Sequence, residues 1–69
     1  MNSFMFKIDK KKLYLVCADK CLSVSETVKK AGCSTMTYHR INNEKPLQSV
    51  TVGKIAKFLC VDAKELVED

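Results

Sequence analysis

Residues 22–46 have the sequence LSVSETVKKAGCSTMTYHRINNEKP, and this stretch decides the fold of the chain. Ser23 and Glu26 have the spacing of a capping box, in which the two side chains satisfy free amide groups at the start of a helix. Apolar residues then repeat at the spacing of one helix face: Val24, Val28 and Ala31. The pattern predicts a short helix that begins at Ser23 and ends before Gly32, a residue type that commonly terminates helices.

A second short helix is predicted over residues 34–42, directly after the glycine turn. Ser34 can cap its start, and Tyr38 and Ile41 give it one apolar face. The side chains on its other faces must point toward solvent or a partner: Thr35, Met36, His39 and Arg40. Two short helices joined by a tight turn form a helix-turn-helix unit, in which the second helix enters the major groove of DNA.

Further helices are predicted on both sides of this unit. Asp9 is a suitable N-cap for a helix over residues 10–19. After a loop that ends at Pro46, a fourth helix is predicted from about Val50 to Leu59, and Asp62 can cap a fifth, short one. The apolar residues of each helix share one face: Leu13, Val16 and Cys17 in the first, Val52, Ile55, Ala56 and Leu59 in the fourth, and Ala63, Leu66 and Val67 in the fifth.

The first eight residues do not follow a helical pattern. Phe4, Phe6 and Ile8 alternate with Met5 and Lys7, which is the period of a β-strand. Because a single strand needs a partner, two arrangements remain open: the arm packs Phe4 or Phe6 against the helices, or it pairs with its copy in a dimer. The sequence therefore predicts an N-terminal arm, residues 1–8, followed by a helical domain, residues 9–69.

Positive charge is concentrated in the first two thirds of the chain. Residues 1–48 contain nine lysine and arginine residues against four acidic ones, a net charge of +5, whereas residues 49–69 have three against four, a net charge of −1. A basic region attracts phosphate polyanions and steers their encounter with the protein. The charge distribution is compatible with nucleic-acid binding, although basic surfaces also serve solubility alone.

Length and composition argue against several classes of protein. A chain of 69 residues forms one small core and leaves little room for an enzyme cleft. Its apolar runs are far shorter than the roughly 18 residues that a membrane span requires. The segment Met1–Phe6 lacks the basic lead and long apolar run of an export signal, so a cytoplasmic location is expected.

The cysteines and the single histidine are the residues that would suggest metal binding or catalysis. Cys17, Cys21, Cys33 and Cys60 contain no Cys-x-x-Cys pair, and His39 completes no familiar zinc pattern. Serine, cysteine and histidine show no spacing typical of a catalytic triad. We therefore expect reduced cysteines, no metal, no small-molecule cofactor, no catalytic residues and no enzymatic activity.

The stretch from Leu22 to Pro46 resembles the Cro and repressor family of phage and bacterial regulators, and the resemblance extends through residues 54–66. Gly32 matches the turn glycine of that family, and Asn43 matches the asparagine of its loop after the recognition helix. Buried family positions are matched by Ala31, Cys33, Tyr38 and Ile41. The sequence departs from the family at four positions: Val24 replaces a frequent Gln, Thr27 an apolar residue, Val28 a small Ala, and Glu44 a frequent Gly.

The resemblance implies a set of DNA-contacting residues. The base-reading residues would be Thr35, Met36, His39 and Arg40. The phosphate-contacting residues would be Ser23, Ser34, Thr37, Asn43, Lys45 and Gln48. Arginine can form a bidentate pair with guanine, and an apolar methionine suits a thymine methyl group, so the residue types fit these roles.

Taken together, these observations predict an all-α, five-helix, lambda-repressor-like helix-turn-helix domain with an extended N-terminal arm. The expected function is sequence-specific binding of double-stranded DNA by a bacterial or phage-encoded, repressor-like transcriptional regulator that forms a homodimer on a palindromic site. The arm and the C-terminal helix are both candidates for the dimer surface. The alternative is an antitoxin-like or accessory module whose main partner is another protein.

Overall fold

The computed structural model describes residues 4–68. Two short strands, four α-helices and one 3₁₀ turn follow one another within this range. In chain order the elements are β1 (Met5–Phe6), α1 (Lys10–Asp19), α2 (Val24–Lys30), α3 (Thr35–Asn42), β2 (Leu47–Gln48), α4 (Ser49–Leu59) and the 3₁₀ turn (Ala63–Glu65). The predicted bounds of α1 and the predicted pair of short helices around Gly32 are confirmed, and α4 begins one residue earlier than predicted.

The prediction of an all-α, five-helix fold is wrong, because the described residues form four α-helices and a two-stranded antiparallel sheet. The predicted fifth helix is a 3₁₀ turn of three residues. The amide of Asp62 donates to the Glu65 carboxylate at 3.1 Å, which closes the turn, and Ala63 is exposed rather than buried. The chain then extends and pairs with residues near the N-terminus, so it cannot continue as a helix.

Of the predicted arm, residues 4–8 are part of the fold, and residues 1–3 lie outside the described residues. Strand β1 pairs antiparallel with β2, with Met5 opposite Gln48. Beyond β1, Ile8 forms a bridge with Val67, flanked by a hydrogen bond from the Glu68 amide to the Lys7 carbonyl at 3.0 Å. The strand therefore has its partners inside the chain. The residue that this segment buries is Ile8, at 3% exposure, whereas Phe4 and Phe6 remain exposed.

The core lies between the four helices and is closed by the N-terminal and C-terminal segments. Its buried apolar residues are Ile8, Leu13, Cys17, Val24, Val28, Ile41, Leu47, Val52, Ile55, Ala56, Leu59 and Leu66. All four predicted inward positions of α4 are buried, whereas Val16, Ala31, Tyr38 and Val67 are partly buried against the core. Burial of these residues fixes α3 against α2 and β2, which positions the outer face of α3.

Thr27, which stands where the resembled family has an apolar residue, is fully buried on α2. Its hydroxyl donates to the Ser23 carbonyl at 2.9 Å and lies 3.3 Å from the sulfur of Cys17 on α1. A buried hydroxyl costs little when it is hydrogen-bonded. This departure from the family pattern is therefore accommodated by a local hydrogen bond and does not disrupt the packing of α1 on α2.

Within residues 4–68, no helix has the length and apolar content needed to cross a membrane.

Candidate nucleic-acid interface

Helix α3 is held in place by one buried face and by its two ends. Ile41 is 1% exposed, and the half-buried Tyr38 packs beside it against the core. At the C-terminal end, the Lys10 ammonium donates to the Asn42 carbonyl at 3.4 Å, where a positive charge is favourable to the helix dipole. These contacts anchor α3 from the inside and from its last turn.

The outer face of α3 presents all four residues predicted to read bases. Thr35, Met36, His39 and Arg40 are exposed, and Met36 is exposed to 62%. Because residues four apart are neighbours on a helix, Thr35 lies beside His39 and Met36 lies beside Arg40. The face therefore carries two adjacent rows, Thr35–His39 and Met36–Arg40. The Met36–Arg40 row combines an apolar side chain with a permanent positive charge.

A groove of about 260 Å³ runs beside the Met36–Arg40 row. We call it the α3 groove; it is lined by Met5, Ser34, Met36, Thr37, Arg40, Pro46, Leu47, Gln48 and Thr51. Five of these nine residues belong to the predicted site: Ser34, Met36, Thr37, Arg40 and Gln48. The structure thus brings together side chains from α3, β2 and the start of α4, with β1 at one end.

The positive charge of Arg40 is available on this surface. One guanidinium nitrogen of Arg40 donates to the Pro46 carbonyl at 3.4 Å, an exposed and long hydrogen bond. No acidic residue is among those that line the α3 groove. The guanidinium therefore keeps most of its donors for a ligand, and it is oriented by one weak contact to the loop that follows α3.

Two helix starts meet at the α3 groove. Ser34 precedes α3 and Gln48 precedes α4, and neither side chain caps its helix among the residues that the structure describes. The first amide groups of a helix lack partners within the helix and carry a partial positive charge. The Ser49 amide at the start of α4 donates to the Phe4 carbonyl at 3.0 Å, and the Thr37 amide in α3 donates to the Ser34 carbonyl at 3.0 Å. Positive charge on this groove therefore comes from Arg40 and from the first two amide groups of α3, and it suits an anion such as a phosphate group.

Two of the predicted phosphate-contacting residues, Thr37 and Ser23, have surroundings within the protein that distinguish them from the other four. Thr37 is only 9% exposed and forms the floor of the α3 groove, so its hydroxyl is recessed from the surface that a DNA backbone would meet. The hydroxyl of Ser23 accepts from the Glu26 amide at 3.1 Å and lies 3.3 Å from the Glu26 carboxylate. Ser23 therefore serves as a helix cap, and the negative charge of the neighbouring Glu26 carboxylate disfavours a phosphate at this position.

The loop after α3 presents the remaining predicted contacts. Asn43 and Lys45 are exposed, and the Lys45 amide donates to the Arg40 carbonyl at 2.8 Å. Glu44, between them, has a φ of 57°, a left-handed conformation that fits the glycine common in the resembled family. The tight loop holds Asn43 and Lys45 directly beyond the last turn of α3.

Sequence reasoning missed the contribution of Met5, Pro46, Leu47 and Thr51 to the α3 groove. Thr51 lies in the first turn of α4, next to a helix start that Gln48 marks in the sequence. The position of Met5 depends on the pairing of β1 with β2. The sequence showed the strand period of residues 4–8 but did not identify residues 47–48 as the partner. The groove is thus a product of tertiary packing, although five of its nine lining residues were predicted from the sequence.

Cys33 lies in the turn between α2 and α3. Burial raises the pKa of its thiol above the ordinary value, and the nearby ammonium of Lys54 lowers it in part. The neutral thiol is therefore the form that the turn accommodates at neutral pH. Among the described residues, no group of three or more His, Cys, Asp or Glu side chains is arranged to hold a metal ion.

Comparison of the chain with protein-family models, with curated proteins and with solved structures found no match.

Proposed function

We propose that this protein binds double-stranded DNA in a sequence-specific manner and acts as a repressor-like transcriptional regulator. The observation that carries the proposal is the outer face of α3, where Thr35, Met36, His39 and Arg40 are all exposed beside an electropositive groove. A short helix whose opposite face is buried can enter the major groove as a rigid unit. The resemblance of residues 22–46 to the Cro and repressor family supports the same function.

In this proposal the two rows of α3 read different features of the bases. Arg40 forms a bidentate pair with O6 and N7 of a guanine, and Met36, one turn earlier, contacts a thymine methyl group. Thr35 and His39 provide hydroxyl and imidazole groups that can donate to or accept from neighbouring base edges. The Met36–Arg40 row therefore favours a site in which a thymine and a guanine lie close together.

Contacts to phosphate would set the register of α3 in the groove. Ser34 and Gln48 lie at the two helix starts, and Asn43 and Lys45 lie on the loop beyond α3. These four residues flank the base-reading face on two sides, so they can contact the backbone on each side of the major groove. Such contacts position the protein without reading sequence.

The proposed complex is a homodimer on a palindromic site, because one recognition helix contacts only a few base pairs. The proposed setting is the cytoplasm of a bacterium, with a bacterial or phage-encoded gene. Recognition of base edges and phosphates by these side chains requires neither a metal nor a small-molecule cofactor.

Selection of bound duplexes from a random pool tests the proposal directly. We expect enrichment of one sequence motif and a binding constant that falls with salt by about 0.9 per neutralised phosphate on logarithmic axes. The matched control is the Arg40→Ala variant, carried through the same selection. If no duplex is enriched with the unmodified protein, DNA recognition is refuted and the protein-partner alternative is favoured.

A further inference from the structure

A second groove, of about 240 Å³, lies between the end of α2 and the outer side of α4. We call it the lysine groove; it is lined by Lys30, Ala31, Lys54, Lys57 and Phe58. None of these residues lines the α3 groove, so ligands can occupy the two grooves at the same time. The lysine groove is not used in the proposed recognition of DNA bases.

The three lysines that border this groove carry uncompensated charge. Within residues 4–68, Lys30, Lys54 and Lys57 form no ion pair. Helix α4 contains no Asp or Glu. The one acidic residue of α2, Glu26, lies one helical turn before Lys30, but its carboxylate accepts from the Ser23 amide and hydroxyl instead of pairing with Lys30. Three positive charges therefore remain available to a negatively charged partner.

Two of the three lysines stabilise the helices to which they belong. Lys30 and Lys57 lie in the last turns of α2 and α4, where a positive charge interacts favourably with the helix dipole. Lys54 lies in the middle of α4, where this explanation does not apply. Lys54 and the other two lysines surround one groove, so a single anionic ligand could neutralise all three charges.

The floor of the lysine groove identifies the kind of ligand. Ala31 and Phe58 are partly buried, and together they form an apolar surface between the charged side chains. A DNA backbone would neutralise the lysines, but it would leave the apolar floor uncovered. A peptide segment with carboxylates around one apolar side chain covers the floor and neutralises the lysines at the same time.

We propose that the lysine groove binds an acidic protein segment through one apolar anchor side chain, independently of DNA. The anchor packs on Ala31 and Phe58, and flanking Asp or Glu residues pair with Lys30, Lys54 and Lys57. Exposed ion pairs contribute little individually, so the apolar contact supplies affinity and the lysines select for acidic segments. The protein would thereby connect a DNA site to a second protein.

A display library of random peptides about twelve residues long provides the test, with the full chain as bait. We expect the enriched peptides to combine acidic residues with one apolar residue. Binding of these peptides should fall about tenfold in the triple variant Lys30→Gln, Lys54→Gln, Lys57→Gln. The matched control, Lys11→Gln, Lys20→Gln, Lys64→Gln, has the same net charge and should retain binding.

Further measurements separate this proposal from DNA binding. Replacement of the apolar residue in an enriched peptide by serine should abolish binding, and Arg40→Ala should leave peptide affinity unchanged. The proposal is overturned if no peptide is enriched, or if both triple variants bind the enriched peptides equally. It is also overturned if the lysine-groove variant loses affinity for the selected DNA duplex while retaining the peptides, because the groove would then be a phosphate contact.

Discussion

Helices α2 and α3 are similar in length but differ in how their ends and faces are satisfied. In α2, Ser23 and Glu26 form a complete capping box, and two lysines occupy the last turn. In α3, Ser34 makes no capping hydrogen bond within the described residues, and the first turn contains no acidic residue. Three of the seven residues of α2 are buried, whereas two of the eight in α3 are.

The two helices therefore differ in role: α2 contributes mainly to stability, whereas α3 presents groups that a ligand can contact. Helix α2 is stabilised by its own ends and by the core, so it can serve as a fixed support. Helix α3 depends on a few buried side chains, and it leaves the amide groups of Thr35 and Met36 and its outer side chains available. Substitutions in the two helices, and on the two faces of α3, should therefore have effects of different kinds.

The largest expected effect comes from the buried face of α3. Ile41→Ala should lower the free energy of unfolding by about 2–4 kcal/mol, because it creates a cavity where α3 contacts the core. Urea denaturation followed by circular dichroism measures this. Met36→Ala, on the exposed face of the same helix, is the control and should change stability by less than about 0.5 kcal/mol. Equal stability of the two variants would show that the faces of α3 are not divided as described.

The exposed face should give the second-largest effect, on binding rather than on folding. Arg40→Ala should weaken binding of the selected duplex by about 1–3 kcal/mol and relax the preference at one base position. The urea midpoint should remain unchanged, since the hydrogen bond to Pro46 is long and exposed. If the variant weakens all duplexes equally and keeps its preference, Arg40 contacts phosphate and the other exposed residues must read the bases.

Lys45→Ala tests the loop after α3, where we expect a contact that does not depend on sequence. The substitution should weaken all duplexes to a similar degree and flatten the dependence of log affinity on log salt by about one unit. Titrations of two unrelated duplexes at several salt concentrations measure both quantities. A change in base preference would instead indicate that Lys45 reaches into the groove.

The helices could be predicted from sequence because their signals are local. The capping pair Ser23 and Glu26 marks the start of α2, and Gly32, which has a φ of 85°, marks the turn. The apolar spacing of α4 predicted its buried face correctly, and Ile41 was placed inward as observed. Each of these features depends on residues no more than about one or two helical turns apart.

The features that could not be predicted depend on contacts between distant residues. The strand period of residues 4–8 was visible in the sequence, but its partner, residues 47–48, was not. The end of the chain is extended because the Glu68 amide donates to the Lys7 carbonyl. The resemblance implied a phosphate contact for Thr37, and its low exposure, which depends on the packing of α3 on its neighbours, could not be predicted from the sequence. The α3 groove combines four elements, so its full outline requires the tertiary structure.

The smallest effects should come from substitution of the two serines that precede α2 and α3. These substitutions directly compare the capped start of α2 with the uncapped start of α3. Ser23→Ala should cost about 1 kcal/mol of stability, because it removes the hydroxyl that accepts from the Glu26 amide. Ser34→Ala should cost only a few tenths of a kcal/mol, since its hydroxyl makes no such bond among the described residues. Urea denaturation of both variants measures the difference.

DNA binding should reverse the order of these two substitutions. Ser34 lines the α3 groove, so Ser34→Ala should weaken every duplex slightly and leave base preference intact, as loss of a phosphate contact requires. Ser23→Ala should leave affinity unchanged under conditions in which the variant is folded, and Ser23→Thr, which retains a capping hydroxyl, should recover most of the lost stability. If Ser34→Ala destabilises the protein as much as Ser23→Ala does, α3 is capped like α2, and the amide groups at its start are not available to a ligand.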